Sequence, residues 1–110
     1  FMNTTDVYAL FGNLMDNAIE SVIKEADEEK RIISVSIKIQ NHGVHIHSEN
    51  YCKDEIVFSD GLPETTKEDK NYHGFGVKSI RYIVERYHGT IFMRSEKERF
   101  LTDIIFYPEK

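Results

Sequence analysis

Two asparagines four residues apart, Asn13 and Asn17, interrupt an otherwise apolar, helix-forming stretch, Leu10-Phe-Gly-Asn-Leu-Met-Asp-Asn-Ala-Ile-Glu20. Side chains at that spacing on a helix point the same way. Aligned carboxamides can ligate a cation and hydrogen-bond phosphate oxygens. They can equally be two solvated amides at the rim of a surface helix, and the spacing alone leaves both readings open. Asparagine is a poor helix former because its side chain competes for the backbone, so the helix has no need of its own for the pair. A second candidate is Gly74-Phe75-Gly76, followed at once by Val77 and Lys78. Glycines let backbone N–H groups come close to an anion, and a helix N-terminus supplies unpaired donors and partial positive charge. Lys78 in the first turn would add a full charge. A glycine-containing turn before a helix is the plain alternative. The motif is no Walker loop, and no strand runs directly into it as a dinucleotide fingerprint requires.

The remaining chemistry-bearing residues are few. Cys52 is the single cysteine, which excludes an internal disulfide framework and suits a reducing compartment. Of the five histidines, His42, His45, His47, His73 and His88, only His45 and His47 are spaced to share a strand face. With no third ligand evident in the sequence, that pair reads as a solvated strand face rather than a metal site. The chain has 110 residues and a net charge of −5, with 40% apolar and 30% charged residues. This describes one soluble globular domain, residues 1–110, and argues against nonspecific binding to nucleic acid or to an anionic membrane. No apolar run approaches the roughly 20 residues of a membrane span. No signal peptide is visible, and the opening Phe1 suggests a fragment of a longer protein.

The elements that must position these residues follow from periodicity. A helix is expected from about Asp6 to Glu25, with Val7, Leu10, Phe11, Leu14, Ala18 and Val22 as its apolar stripe and Thr5 or Asp6 as its cap. Asn13 and Asn17 fall at the edge of that stripe, with Glu20 and Lys24 further along the same flank. Ile33, Val35, Ile37 and Ile39 alternate with polar residues, a half-buried strand. Asn41-His-Gly43 is a turn, and Val44, Ile46 and Ser48 continue the alternation into a hairpin. Asn50 lies next in phase at the strand's end. Residues 51–72 carry nine charged residues and no sustained period, and are expected to form a lid or mobile loop. The glycines then lead into a second helix with Val77, Ile80, Ile83, Val84 and Tyr87 on its buried face and Gly89 beyond its end. Strands from Thr90 to Ser95 and from Phe100 to Tyr107, joined by the charged turn Glu96-Lys-Glu-Arg99, complete the chain. Helices set apart from antiparallel strands indicate an α+β two-layer sandwich with the helices on one sheet face.

A helix with paired asparagines, a strand ending in Asn50, a charged loop, and Gly-x-Gly before a second helix resemble, in that order, the GHKL superfamily of ATP-binding domains. This is the Bergerat fold, shared by DNA gyrase and sensor histidine kinases. The first stretch looks like the kinase N box. His73-Gly-Phe-Gly-Val-Lys-Ser-Ile80 with Ile83-Val-Glu-Arg-Tyr-His-Gly89 looks like the second glycine box and its helix. The D-N-A-I-E N box, the Thr65-Thr-Lys67 triplet and the H-G-x-G-V-K-S box together are most similar to the peptide-sensing, Agr-type branch of bacterial sensor kinases.

The resemblance implies a mixed, mostly antiparallel sheet and a site for Mg²⁺ and ATP. Asn17 would ligate the metal with Asn13 beside it, and Asn50 would read the adenine amino group. Thr66, Lys67 and His73 would belong to a lid over the phosphates, and Gly74, Phe75, Gly76, Val77 and Lys78 would line the phosphate end. ATPases of the superfamily carry a water-activating Glu at the position of Asn13, and an amide cannot take a proton from water. A protein acceptor for the phosphoryl group is therefore expected, on a histidine of a separate dimerisation domain, with a response regulator downstream. None of the five histidines here has the helical, acid-flanked context of that acceptor. The setting implied is a cytoplasmic domain of a membrane-anchored receptor kinase, making no membrane contact itself. A non-catalytic interaction module on the same fold and a true ATPase are the alternatives. Three positions depart from the family pattern. Ser48-Glu-Asn-Tyr-Cys52 stands in place of a D-x-G-x-G box, Tyr72 replaces the first glycine of the second box, and Glu20 lies where many kinases have Lys or Arg.

Overall fold

The computed structural model describes residues 1–53, 58, 59, 61–63 and 73–108. Helix α1 (Thr4–Ile23) is followed by a single 3-10 turn, Glu28–Lys30, and by the hairpin β1 (Ile33–Gln40) and β2 (Gly43–Tyr51). Two very short strands, β3 (Phe58–Ser59) and β4 (Leu62–Pro63), precede α2 (His73–Arg86) and the second hairpin, β5 (Thr90–Glu96) and β6 (Arg99–Phe106). The four long strands form one sheet in the order β1-β2-β6-β5. Both helices cover one face of it, so the expected two-layer α+β sandwich is present. Every pairing among the described residues is antiparallel, in keeping with the mostly antiparallel sheet that the resemblance implied.

The core lies between the helices and the two central strands. Leu10 and Leu14 of α1, Ile80, Ile83 and Val84 of α2, Ile46 of β2 and Ile104 and Phe106 of β6 form one buried cluster. Removing each of these side chains from water stabilises the fold by about 1.5–3 kcal/mol. In α1 the fully covered line is Asp6, Leu10, Leu14, Ala18 and Val22, one residue every fourth position. Phe11 packs at the margin of the core, whereas Val7, expected on the stripe, is 37% exposed. The cap is Asn3, not Thr5 or Asp6: its side chain accepts a hydrogen bond from the Asp6 backbone N–H at 2.8 Å. Asp6 serves a tertiary role instead, accepting from the Tyr87 hydroxyl at 2.5 Å beyond the end of α2, with Arg86 at 3.6 Å.

Other expectations need correction. The apolar row of β1 points to the helix side but reaches past both helices, so Val35, Ile37 and Ile39 are 38%, 54% and 79% exposed rather than half-buried. Residues 51–72 are not without structure where they are described. Phe58 and Ser59 pair with Leu62 and Pro63 around Gly61, and the Phe58 ring stacks on Phe100 at 6.2 Å between centroids. The rest of the expected lid, with Thr66 and Lys67, lies outside the described residues. The first hairpin turn is Asn41-His42, both at positive φ, and Gly43 already belongs to β2. Two central residues at positive φ are the mark of a type I′ turn, whose twist matches that of the strands it joins.

Candidate functional site

Asn13 and Asn17 lie on the flank of α1 that adjoins its buried line, each half-buried, next to Leu14 and Ala18. Because α1 packs along α2, this flank faces the first turn of the second helix. That turn holds the glycines. Helix α2 begins at His73, so Gly74 and Gly76 lie inside its first turn rather than in a loop ahead of it. The N–H groups of a first turn have no intrahelical partner, and they carry the positive end of the helix dipole.

Gly76 is where the two elements meet. A Cβ at this position would lie 3.1 Å from Asn17 Oδ1 and 3.8 Å from Asn13 Oδ1. Both amide oxygens therefore lie beside the face of Gly76 that carries no side chain. Val77, the next residue, is buried at 6% exposure and fixes the rotation of α2, which turns Gly76 towards α1 and leaves Lys78 exposed. The amides add no negative charge beside a bound polyanion, and the first-turn N–H groups and the Lys78 ammonium would offset its charge. The donor set thus fits a divalent cation held together with phosphate: two neutral oxygens on one wall, backbone donors on the other, and a gap that a methyl group would fill.

The polar line on α1 continues past Asn17 by one further turn to Ser21, which the sequence reading missed although it keeps the spacing of four. Ser21 Oγ donates to the Tyr51 carbonyl at 3.4 Å, and Asn50 Nδ2 donates to the same carbonyl at 3.0 Å. Asn50 is buried at 6% exposure on the helix side of β2, in phase with Ile46 and Ser48 as expected. The two bonds to the Tyr51 carbonyl tie the end of β2 to α1 one turn beyond Asn17. Asn13, Asn17 and Gly76 are brought together, Asn50 meets the same helix a turn further on through the carbonyl it shares with Ser21, and Val77 is buried in the core. The side chains of His73 and Phe75, like Lys67, lie outside what is described.

The family assignment comes from the whole sequence as well as from these residues. Residues 2–107 match the sequence profile of a GHKL domain. Among solved structures, the fold is similar to that of the Acinetobacter baumannii histidine kinase AdeS, with a TM-score of 0.65 and 16% sequence identity. That match covers 96% of this chain but only 47% of AdeS, so the chain spans about half the length of the kinase it resembles. No curated protein matches the sequence at a comparable level of significance. With nearly every residue inside the profile, and a two-layer sandwich that places the paired amides against the glycine turn, the chain belongs to the GHKL domain family.

Proposed function

We propose that the chain is the ATP-binding catalytic domain of a two-component sensor histidine kinase, most similar to the Agr-type branch. It would bind Mg·ATP and present the γ-phosphate to a histidine on a separate dimerisation domain, with a response regulator downstream. The observation that carries this is the convergence of Asn17 Oδ1 and Asn13 Oδ1 on the side-chain-free face of Gly76. Asn17 is assigned to the metal, Asn13 to its support, and the first turn of α2 with Lys78 to the phosphates. Asn50 is assigned to the adenine. Bound Mg²⁺ would supply charge neutralisation at the phosphates, and little covalent chemistry is then asked of the protein, whose task is to position and to exclude water.

Neither of the other roles open to the fold is favoured by a feature of the cleft. An ATPase needs a base near the metal, and the residue one turn before Asn17 is the amide Asn13. An interaction module has no use for two amides aimed at a gap kept clear by glycine. Among the described residues no helix is long and apolar enough to cross a membrane. The cytoplasmic, receptor-anchored setting belongs to this same proposal. Calorimetric titration with ATP, run with Mg²⁺ and again with excess EDTA, tests it. Saturable, Mg²⁺-dependent heat at millimolar nucleotide is expected. No heat and no thermal shift would leave the fold as a scaffold for protein contacts.

A further inference from the structure

The face of the sheet opposite the helices carries a cluster that the nucleotide site does not use. β2 turns His45, His47 and Glu49 outward, as alternation requires, and the register of β2 with β6 puts Asp103 directly opposite His47. One carboxylate oxygen, Asp103 Oδ1, lies 2.8 Å from His45 Nε2 and 2.6 Å from His47 Nδ1. The three ligand atoms all fall within 4.8 Å of one another. This supplies the third ligand that the sequence alone did not show. We propose that His45, His47 and Asp103 form a binding site for one divalent transition-metal ion of the zinc class, separate from the cleft on the helix side.

Three features favour a metal over a plain histidine–aspartate network. First, both imidazoles meet the same carboxylate oxygen instead of taking one oxygen each, so all three ligand atoms are gathered in one place. Metal–ligand distances of about 2.0–2.2 Å would set each imidazole nitrogen somewhat further from the carboxylate oxygen than it now is, a separation that small side-chain rotations provide. Second, the outer atoms of two of the ligands, Asp103 and His47, are already held. Arg94 donates to Asp103 Oδ2 at 3.0 Å, leaving Oδ1 directed at the histidines. His47 Nε2 lies 3.3 Å from Glu49 Oε1, and Arg99 holds Glu49 Oε2 at 2.7 Å. A histidine that gives its far N–H to a carboxylate turns the other nitrogen's lone pair to a metal. Third, exposure is graded. The side chains of Asp103, His47 and His45 are 14%, 25% and 43% exposed, so the carboxylate is sheltered while the outer histidine opens to solvent. That leaves a route of entry and room for water as a fourth ligand.

Positive charge reaches the site through Arg94, which bonds the far oxygen of Asp103. Arg94 is shared with Glu96 at 3.6 Å, Arg99 is engaged by Glu49, and Lys38, opposite His45 in register, is exposed. Without a metal, the bond to Asp103 raises the His47 pKa, with Glu49 adding to the effect.

The test is titration of the EDTA-treated, nucleotide-free chain with Zn²⁺ by calorimetry, and with Co²⁺ by visible absorption. One equivalent should bind, Co²⁺ should give ligand-field bands, and Zn²⁺ should raise the melting temperature. His45→Gln, the most exposed ligand and the substitution least able to disturb folding, should weaken binding at least tenfold. His45→Gln with His47→Gln should abolish it, with the variants' own melting temperatures reporting that they fold. Failure of the parent chain to bind a stoichiometric ion would overturn the proposal. So would binding that persists unchanged in the double variant, which would place the ion elsewhere.

Discussion

Replacing Gly76 by alanine would add a methyl group 3.1 Å from Asn17 Oδ1. Alanine is the better helix former by about 1 kcal/mol, and the displaced amide is a side chain with room to move. Stability should therefore change little, while affinity for Mg·ATP should fall roughly tenfold, equivalent to about 1.4 kcal/mol. Thermal melting and calorimetry on one preparation would separate the two effects, and unaltered binding would mean that the gap is not occupied by ligand. Asn17→Ala should behave similarly but more severely, abolishing Mg·ATP binding while shifting stability by no more than about 0.5 kcal/mol. Leu14, three residues earlier and 4% exposed, gives the contrast. Leu14→Ala should destabilise by about 2–5 kcal/mol. An Asn17→Ala chain that unfolds would make the amide structural.

At the scale of elements, the end of α2 shows how a local signal can be right in kind and displaced by one residue. Gly89 looks in sequence like the residue that closes the helix, but the left-handed position is His88, with φ of 60°. The His88 N–H bonds the Glu85 carbonyl at 3.0 Å and the Gly89 N–H bonds the Val84 carbonyl at 2.8 Å, the paired bonds of a Schellman motif. Position 89 needs glycine for another reason: a Cβ there would lie 2.6 Å from the core ring of Phe106. His88→Gly should accordingly stabilise the fold by about 0.5–1 kcal/mol, through relief of left-handed strain. Gly89→Ala should cost about 1–3 kcal/mol. Denaturant unfolding of the two variants measures both, and the opposite order would reverse the assignment.

The same distinction explains what could be read in advance. Both helices, both hairpins and the phase of Asn50 followed from periods of 3.6 and 2, which are local. Alternation in β1 told which way Ile37 and Ile39 face, but not that the helices stop short of them. Asp103 could not be paired with His47 from sequence, since 56 residues separate them and only the β2–β6 register joins them. In the cleft, the amide pair and the glycines were legible as motifs. Their meeting at Gly76, and the Ser21 and Asn50 bonds to one carbonyl, depend on how α1 lies on α2 and β2.

For the molecule as a whole, the proposed role requires a second domain to accept the phosphoryl group. Incubated with γ-labelled ATP, the chain alone should remain unlabelled and release little phosphate, because Asn13 cannot act as a base and no histidine has the acceptor's surroundings. Rapid phosphate release would mark it as an ATPase.

The uncovered row on β1 has a further bearing on how the chain behaves in a test tube. Among the described residues β1 pairs only with β2, so its other edge presents unpaired backbone groups alongside Val35, Ile37 and Ile39. An open, apolar strand edge is a template for joining like to like. The apparent molar mass of the ligand-free chain from light scattering should therefore rise with concentration. Ile39→Lys, at a side chain already 79% exposed, should suppress that rise without lowering the melting temperature. An apparent molar mass that stays at the monomer value in the parent chain would show that Lys38 and the net charge of −5 already keep the molecules apart.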